Sequence, residues 1–329
     1  MGTKTVAVTG ASGFVGRWMV RELLARGYGV RALVRSREKA REVLPNGPVL
    51  VVGDISDAGK AEELLEGCGA CINLLGIIRE TRGDSGQRPQ TFQRIHVDAT
   101  RMLVAKCQER GVRRFVQMSA INATDAGQTE YQRTKFEAEM LVRLSDLDWT
   151  IFRPSFIHGP DGEFVQMVKG WAKGHAAPYV FIPYFTRSVE DKRVPLGPVH
   201  DIDPKVAPVY VGDVAHAFVV SLENQRTFGE VYNLVGSETL SFPDMLRFMR
   251  DHIHGAHENQ PVFGLPSHVG ANVAKGAKAL GMGGLLPFDE GMAKMGAMDT
   301  TASLTKFREH TGIEPAPFKA SFKTYAGQV

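Results

Sequence analysis

Seven residues near the start of the chain constrain its fold more than any other feature. Gly10-Ala11-Ser12-Gly13-Phe14-Val15-Gly16 joins an apolar run, Thr5–Thr9, directly to Phe14–Arg26, where Val15, Met19, Val20, Leu23 and Leu24 recur at helical spacing. A strand, a glycine turn and a helix in immediate succession predict a β-α-β unit. The first glycine permits the turn, the second lets the backbone approach an anion, and the third lets helix pack on strand. The helix start then presents free N–H groups and its positive dipole end. The segment therefore predicts a pyrophosphate site built from Gly10, Ser12, Gly13, Phe14 and Val15, with Ser12 adding a hydroxyl contact.

The same rhythm continues. Val30–Val34, Val49–Val52, Ala70–Leu75, Arg114–Met118 and Trp149–Arg153 read as buried strands, and Glu38–Leu44, Lys60–Glu66, Gln90–Arg110 and Glu130–Arg143 as helices between them. Near-continuously apolar strands alternating with helices imply an α/β fold, a Rossmann-type doubly wound parallel sheet covered on both faces. After Arg153 the rhythm breaks. Residues 160–206 show no clear period, Val209–Val211 and Val231–Leu234 read as short strands, and Phe242–Met249 as a helix. The expected division is a nucleotide-binding domain over 1–153, with returning elements around 207–235, and a smaller C-terminal substrate lobe over 154–329. Within that lobe, residues 264–300 are rich in Gly, Ala and Met and predict a loose helical region.

The end of the second strand bears on which nucleotide is bound. An acidic residue there would hold the ribose hydroxyls of NAD(H), but this chain has Val34-Arg35-Ser36-Arg37. Arg35 and Arg37 are either solvated charges at a helix start or a grip for a 2′-phosphate. Arginine is not favoured in a first helical turn, so NADP(H) is expected over NAD(H). Gly53-Asp54-Ile55 would bring Asp54 beside the adenine amino group, and Leu75-Gly76 would let the cofactor lie close to the backbone. Tyr131 and Lys135, four residues apart, fall on one helix face just after the fifth strand. Lys135 would bind the nicotinamide ribose and lower the Tyr131 pKa, and Tyr131 would exchange a proton with a substrate oxygen.

With these residues the chain resembles the extended or atypical short-chain dehydrogenases/reductases, relatives of the NAD-dependent epimerases and dehydratases. T-G-A-S-G-F-V-G, G-D-I-S-D, Y-Q-R-T-K, R-P-S-F-I-H-G (153–159) and P-V-Y-V-G-D-V-A (208–215) occur in family order across residues 5–235. L-L-G-I-I-R-E (74–80), F-Q-R-I-H-V-D-A-T (92–100) and R-F-V-Q-M-S-A (114–120) are similar to one branch, that of the NADPH-binding accessory subunit of respiratory complex I and its bacterial relatives. The resemblance implies that Pro154, Ser155 and Phe156 border the nicotinamide and that Ser119 joins Tyr131 and Lys135 at the reacting end. Two positions depart from the family. Ala120 stands where a hydroxyl residue usually holds the substrate oxygen, and His96 replaces a common asparagine. The resemblance thus implies either an oxidoreductase or epimerase acting on a carbonyl or secondary alcohol, or a non-catalytic NADPH-binding structural or sensor subunit.

Other signals are weaker. Cys68 and Cys71 have a C-x-x-C spacing, but Cys71 falls in a strand, so buried packing is expected. His252, His254 and His257 lack acidic or cysteine companions, so no metal site is expected. His158, His216 and Tyr210 are candidates for the pocket rim, and residues 282–298 for a docking region. A net charge of +3 over 329 residues argues against nucleic acid as partner. Three cysteines, no apolar run near the ~18 residues of a membrane span, and no signal-peptide layout predict a cytoplasmic protein. Peripheral attachment at the inner membrane, docking to a membrane complex, and a homodimer stay open.

Overall fold

The computed structural model describes residues 4–83, 88–190, 199–280 and 286–329. The chain forms two compact units. One comprises Met1–Pro154, Val211–Leu234 and Ser303–Glu314; the other comprises Ser155–Tyr210, Val235–Ala302 and Pro315–Val329.

In the first unit, β1 (Thr5–Thr9), β2 (Gly29–Val34), β3 (Val49–Val52), β4 (Ala70–Asn73), β5 (Arg114–Met118), β6 (Asp148–Pro154) and the strand Glu230–Leu234 form one seven-stranded sheet. Every pairing in it is parallel. From one edge the order is Glu230–Leu234, β6, β5, β4, β1, β2, β3, so the direction of winding reverses between β1 and β4. That switch point is where the carboxyl ends of a doubly wound sheet receive ligands. The helices are α1 (Phe14–Ala25), α2 (Arg37–Val43), α3 (Ala58–Leu65), α4 (Ala99–Arg110) and α5 (Glu130–Arg143). Ala7, Leu33, Cys71, Phe115 and Ile151 bury one sheet face with α3 and α4. On the other face Phe152 meets Phe218 of the helix Val211–Ser221, ring centroids 4.6 Å apart.

Local chemistry sets the helix starts. Ser36 caps α2 by accepting from Lys39 N–H, Asp57 caps α3, and Thr129 with Gln132 forms a reciprocal capping box on α5. α5 is then tied to β6 by Glu139, which is wholly buried. Its carboxylate accepts from Arg153 Nε (2.7 Å) and Nη2 (2.6 Å) and from Arg143 Nη2 (2.7 Å). A planar fork on a carboxylate fixes orientation as well as charge.

In the second unit, helices Glu163–Ala172, Phe242–His252 and Phe318–Lys323 share a core with Ile182, Val206 and Tyr325. Strands Val262–Pro266, Ile182–Glu190 and Val199–Ile202 form a separate sheet.

Four stretches differ from expectation. The long helix over 90–110 begins instead with a π-helical turn, Gln93–Asp98, before α4; the extra residue accommodates the buried contacts of His96 described below. Residues 160–206 hold regular structure whose period is hidden by aromatic and glycine content, including the helix Glu163–Ala172. Val209–Tyr210 is a strand, but Val211 opens the helix Val211–Ser221 instead of ending that strand, and the helix buries its apolar side chains nearly all round. The expected loose region contains the strand Val262–Pro266 and helices Ser267–Ala279 and Glu290–Met295; residues 281–285, which the candidate docking segment includes in part, lie outside the described residues.

Removing Arg153 leaves the buried Glu139 charge with Arg143 alone, and losing one partner of a buried ion pair typically costs about 3 kcal/mol or more. Arg153→Ala is therefore expected to destabilise the protein by ~3 kcal/mol in chemical denaturation; a loss below ~1 kcal/mol contradicts the role of this pair in holding α5.

Candidate cofactor and active site

The glycine loop leaves β1 at its carboxyl end. Gly10 has φ +67, and a Cβ there would meet the Leu74 carbonyl oxygen at 3.0 Å. A Cβ at Gly16 would stand 2.1 Å from the Gly10 carbonyl oxygen, so only glycine lets α1 seat this closely on the loop. Gly13 is the N-cap of α1, with no side-chain cap and no acidic residue in the first turn. Ser12 and Gly13 are exposed, Phe14 is half-buried and Val15 is buried. This is a cradle open to an anion at a helix N-terminus.

The flanking residues behave differently from one another. Arg35 follows the end of β2, is exposed, and makes no hydrogen bond or ion pair among the described residues. Arg37 turns to the edge strand, its Nη2 3.4 Å from the Leu50 carbonyl oxygen. Asp54 accepts from Ser56 N–H (2.9 Å) and from Arg94 Nη2 (2.6 Å). Burial pushes its carboxyl up, but the Ser56 and Arg94 hydrogen bonds and the Arg94 charge outweigh it and hold it below the usual range. Ile55 beside it is buried.

The reacting end is built on Lys135. Its ammonium is 2% exposed and donates to the carbonyl oxygens of Met118 (3.2 Å) and Leu75 (3.4 Å), at the ends of β5 and β4. Those carbonyls are set by Asn73, a buried residue the sequence reading overlooked. Asn73 Oδ1 accepts from Leu75 N–H and from Thr9 Oγ1; Asn73 Nδ2 donates to Gln117 Oε1, and Gln117 Nε2 donates to Met118 O. The signal was present as one amide closing an apolar strand. Gly76 lies directly over the ammonium, since a Cβ there would be 3.0 Å from Lys135 Nζ. Burial pushes Lys135 down to about 8, with the Glu139 carboxylate opposing.

Tyr131 is half-buried, and its ring meets His96 and Phe92 edge-on at 5.4 and 5.9 Å. Desolvation pushes its phenol up to about 12. The expected lowering by Lys135 is absent, because the loss of hydration dominates at this hydroxyl. Ser119 is 3% exposed and its Oγ has no hydrogen-bond partner among the described residues. The cradle, the orphaned hydroxyl and an ammonium with one N–H left over together fit a dinucleotide carrying phosphates and ribose hydroxyls. Pro154 ends β6 and its carbonyl accepts from Ile121 N–H at 2.9 Å. In the second unit, Ser155 Oγ donates to the Ala207 carbonyl (2.5 Å), and the Phe156 ring stands 4.2 Å from that of Phe164.

Other candidates lie elsewhere. His216 sits against Glu22 and Arg26 at the end of α1 remote from the glycine loop. His158 is 1% exposed inside the second unit, bonded to Tyr325 OH at 2.8 Å with Tyr210 beside it. His158 is a packing residue there, whereas His216 is a partly exposed partner of Glu22 and Arg26. His252 stacks on Phe248. A hydrogen bond with Cys107, together with burial, pushes the Cys71 thiol up, and burial does the same to Cys68. No helix among the described residues is long and apolar enough to cross a membrane.

Comparison with known proteins agrees with this geometry. Residues 10–175 match the family model described as NAD(P)H-binding. NADH dehydrogenase (ubiquinone) 1 alpha subcomplex subunit 9, mitochondrial, of Dictyostelium discoideum is 27% identical over 251 residues, 74% of this chain and 62% of that protein. The ceramide reductase of Caulobacter vibrioides is 31% identical over 156 residues, 47% of each chain. The chain thus spans about half to three-fifths of the length of these curated relatives. The NADPH-dependent quinone oxidoreductase of Escherichia coli, solved with NADPH, superposes with TM-score 0.66 over 97% of this chain and 99% of that one. At 18% identity that likeness speaks to the fold.

The depressed Lys135 gives a signed pH dependence. If its ammonium form is what would receive a nucleotide hydroxyl, affinity is expected to be flat below about pH 7.5 and to fall as pH rises through about 8. Fluorescence titration from pH 6.5 to 9.5 measures this. Lys135→Met should bind weakly and without that slope; an unchanged slope in the variant contradicts the assignment.

Proposed function

We propose that this chain, which belongs to the NAD(P)H-binding family, is an NADP(H)-dependent oxidoreductase for a carbonyl or secondary alcohol. The observation that carries this reading is the Tyr131–Lys135 pair on α5, with the Lys135 ammonium beneath Gly76 and one N–H beyond its two carbonyl partners. The bound nucleotide supplies or takes up the two-electron reducing equivalent. The residues of the chain do the rest. Gly10, Ser12, Gly13, Phe14 and Val15 receive the pyrophosphate, Arg35 the 2′-phosphate, and Asp54 and Ile55 flank the adenine. Leu75 and Gly76 line the backbone approach. Lys135 holds the ribose, Ser119 orients the nicotinamide end or the substrate oxygen, and Tyr131 moves the proton at that oxygen. Pro154, at the end of β6, borders the nicotinamide by family resemblance.

Three similar proteins bear names that speak of ubiquinone, ceramide and quinone, which are apolar molecules. The cluster of Phe156, Phe164 and Phe242 in the second unit, with centroids 4.2 to 6.4 Å apart, supports an apolar carbonyl compound or quinone as substrate. Ala120 and the raised Tyr131 favour a second reading, a subunit that binds NADPH without turnover, docked on a membrane complex.

Three measurements test this. Nucleotide released from the purified protein is expected to be NADP(H). Arg35→Ala should weaken NADPH by roughly 30-fold, the ~2 kcal/mol of a charge-assisted hydrogen bond, while leaving NADH unchanged; equal losses contradict the phosphate contact. Tyr131→Phe should abolish carbonyl-dependent oxidation of NADPH while keeping NADPH affinity. If the wild type binds NADPH but oxidises it with no quinone or apolar carbonyl compound, the non-catalytic reading stands instead.

A further inference from the structure

His96 is one of the two positions at which this chain leaves its family's pattern, and it is 1% exposed. It sits on the π-helical turn Gln93–Asp98, and both ring nitrogens are engaged. Nε2 accepts from Ile77 N–H at 3.2 Å. Nδ1 lies 2.9 Å from Thr134 Oγ1, whose own proton goes to the Glu130 carbonyl at 2.8 Å. The hydroxyl must therefore accept from Nδ1–H, which leaves Nε2 as the acceptor that Ile77 requires. One imidazole thus joins the segment after β4 to α5. Its ring also stacks on Phe92 at 5.4 Å and abuts Tyr131 at 5.4 Å. Gly76, one residue before Ile77, is the backbone that covers Lys135 Nζ. Burial, and then the neighbouring Lys135 charge, push His96 down to about 2, so the ring stays neutral beside that ammonium.

We propose that His96, clamped between Thr134 and Ile77, is a positioning residue that sets the distance between the Gly76–Ile77 backbone and the Tyr131–Lys135 pair. It thereby fixes how the nicotinamide end of the cofactor seats. This rests on the reading of that end of the sheet as a nicotinamide-nucleotide site. A shorter residue cannot span both contacts, and an apolar one leaves the Ile77 N–H and Thr134 Oγ1 without their partner.

The test uses the full-length protein, NADPH as probe, and three readouts: affinity, the emission maximum of the bound nucleotide, and the thermal midpoint. His96→Gln can still present an oxygen to Ile77 N–H but gives up the Thr134 contact, so it is expected to lose about fivefold and to shift the emission maximum less than His96→Leu does. His96→Leu is expected to lose about tenfold or more and to shift the emission maximum. Thr134→Val removes the partner of Nδ1–H without touching the ring. It should shift the emission in the same direction with about a fivefold loss, and it decides the matter if His96→Leu does not fold. Wild-type affinity and emission in His96→Leu, or in Thr134→Val, overturn the proposal. A wild type that binds no nicotinamide nucleotide overturns both this proposal and the functional reading beneath it, whereas normal wild-type binding with indifferent variants overturns this one alone.

Discussion

A buried ammonium with no carboxylate in hydrogen-bond contact is the constraint around which the first unit is arranged. Lys135 is desolvated at the ends of β4 and β5, and an ion in that setting survives only if dipoles replace its water. Two main-chain carbonyls do so, and each is positioned through the Asn73 side chain, by way of Leu75 N–H on one side and Gln117 on the other. The nearest carboxylate, Glu139, is one turn further along α5 and is taken up by Arg153 and Arg143. The lysine is thus anchored by a network that spans β1, β4 and β5, and its remaining donor capacity is left for a ligand.

That arrangement dictates its neighbours. A second cation beside Lys135 would be repelled in this low-dielectric setting, and His96 is held neutral by burial and by two hydrogen bonds. A Cβ at position 76 would press on the ammonium at 3.0 Å, tighter than an ordinary contact. The Tyr131 ring is held edge-on by His96 and Phe92, and desolvation makes its phenol hard to ionise. Asp54, by contrast, keeps its charge because Arg94 stands beside it.

Much of this unit was legible in order along the chain. The glycine loop, the alternation of apolar strands with amphipathic helices, and the four-residue step from Tyr131 to Lys135 are local patterns, and periodicity reads local patterns well. The π-helical turn at Gln93–Asp98 was not legible, because the helical period on either side of it is intact and the inserted residue answers a tertiary demand from Thr134 and Ile77. Nor was the pairing of Glu139 with Arg153, whose partners sit on different elements. Arg35 and Arg37 look alike in sequence, yet one is open to solvent while the other reaches back to Leu50.

The sequence by itself determined a parallel doubly wound sheet, a phosphate cradle after its first strand, and a tyrosine–lysine pair after its fifth. Each rests on steric or periodic rules that hold within a few residues. Only the tertiary structure decided that Lys135 is caged by carbonyls, that Tyr131 is raised rather than lowered, and that His96 bridges two elements. It also decided that His158 is buried in packing and that His216 pairs with Glu22 at the far end of α1. Desolvation, charge pairing and hydrogen-bond direction depend on which distant residues arrive at the same place, and that information exists only once the chain has folded.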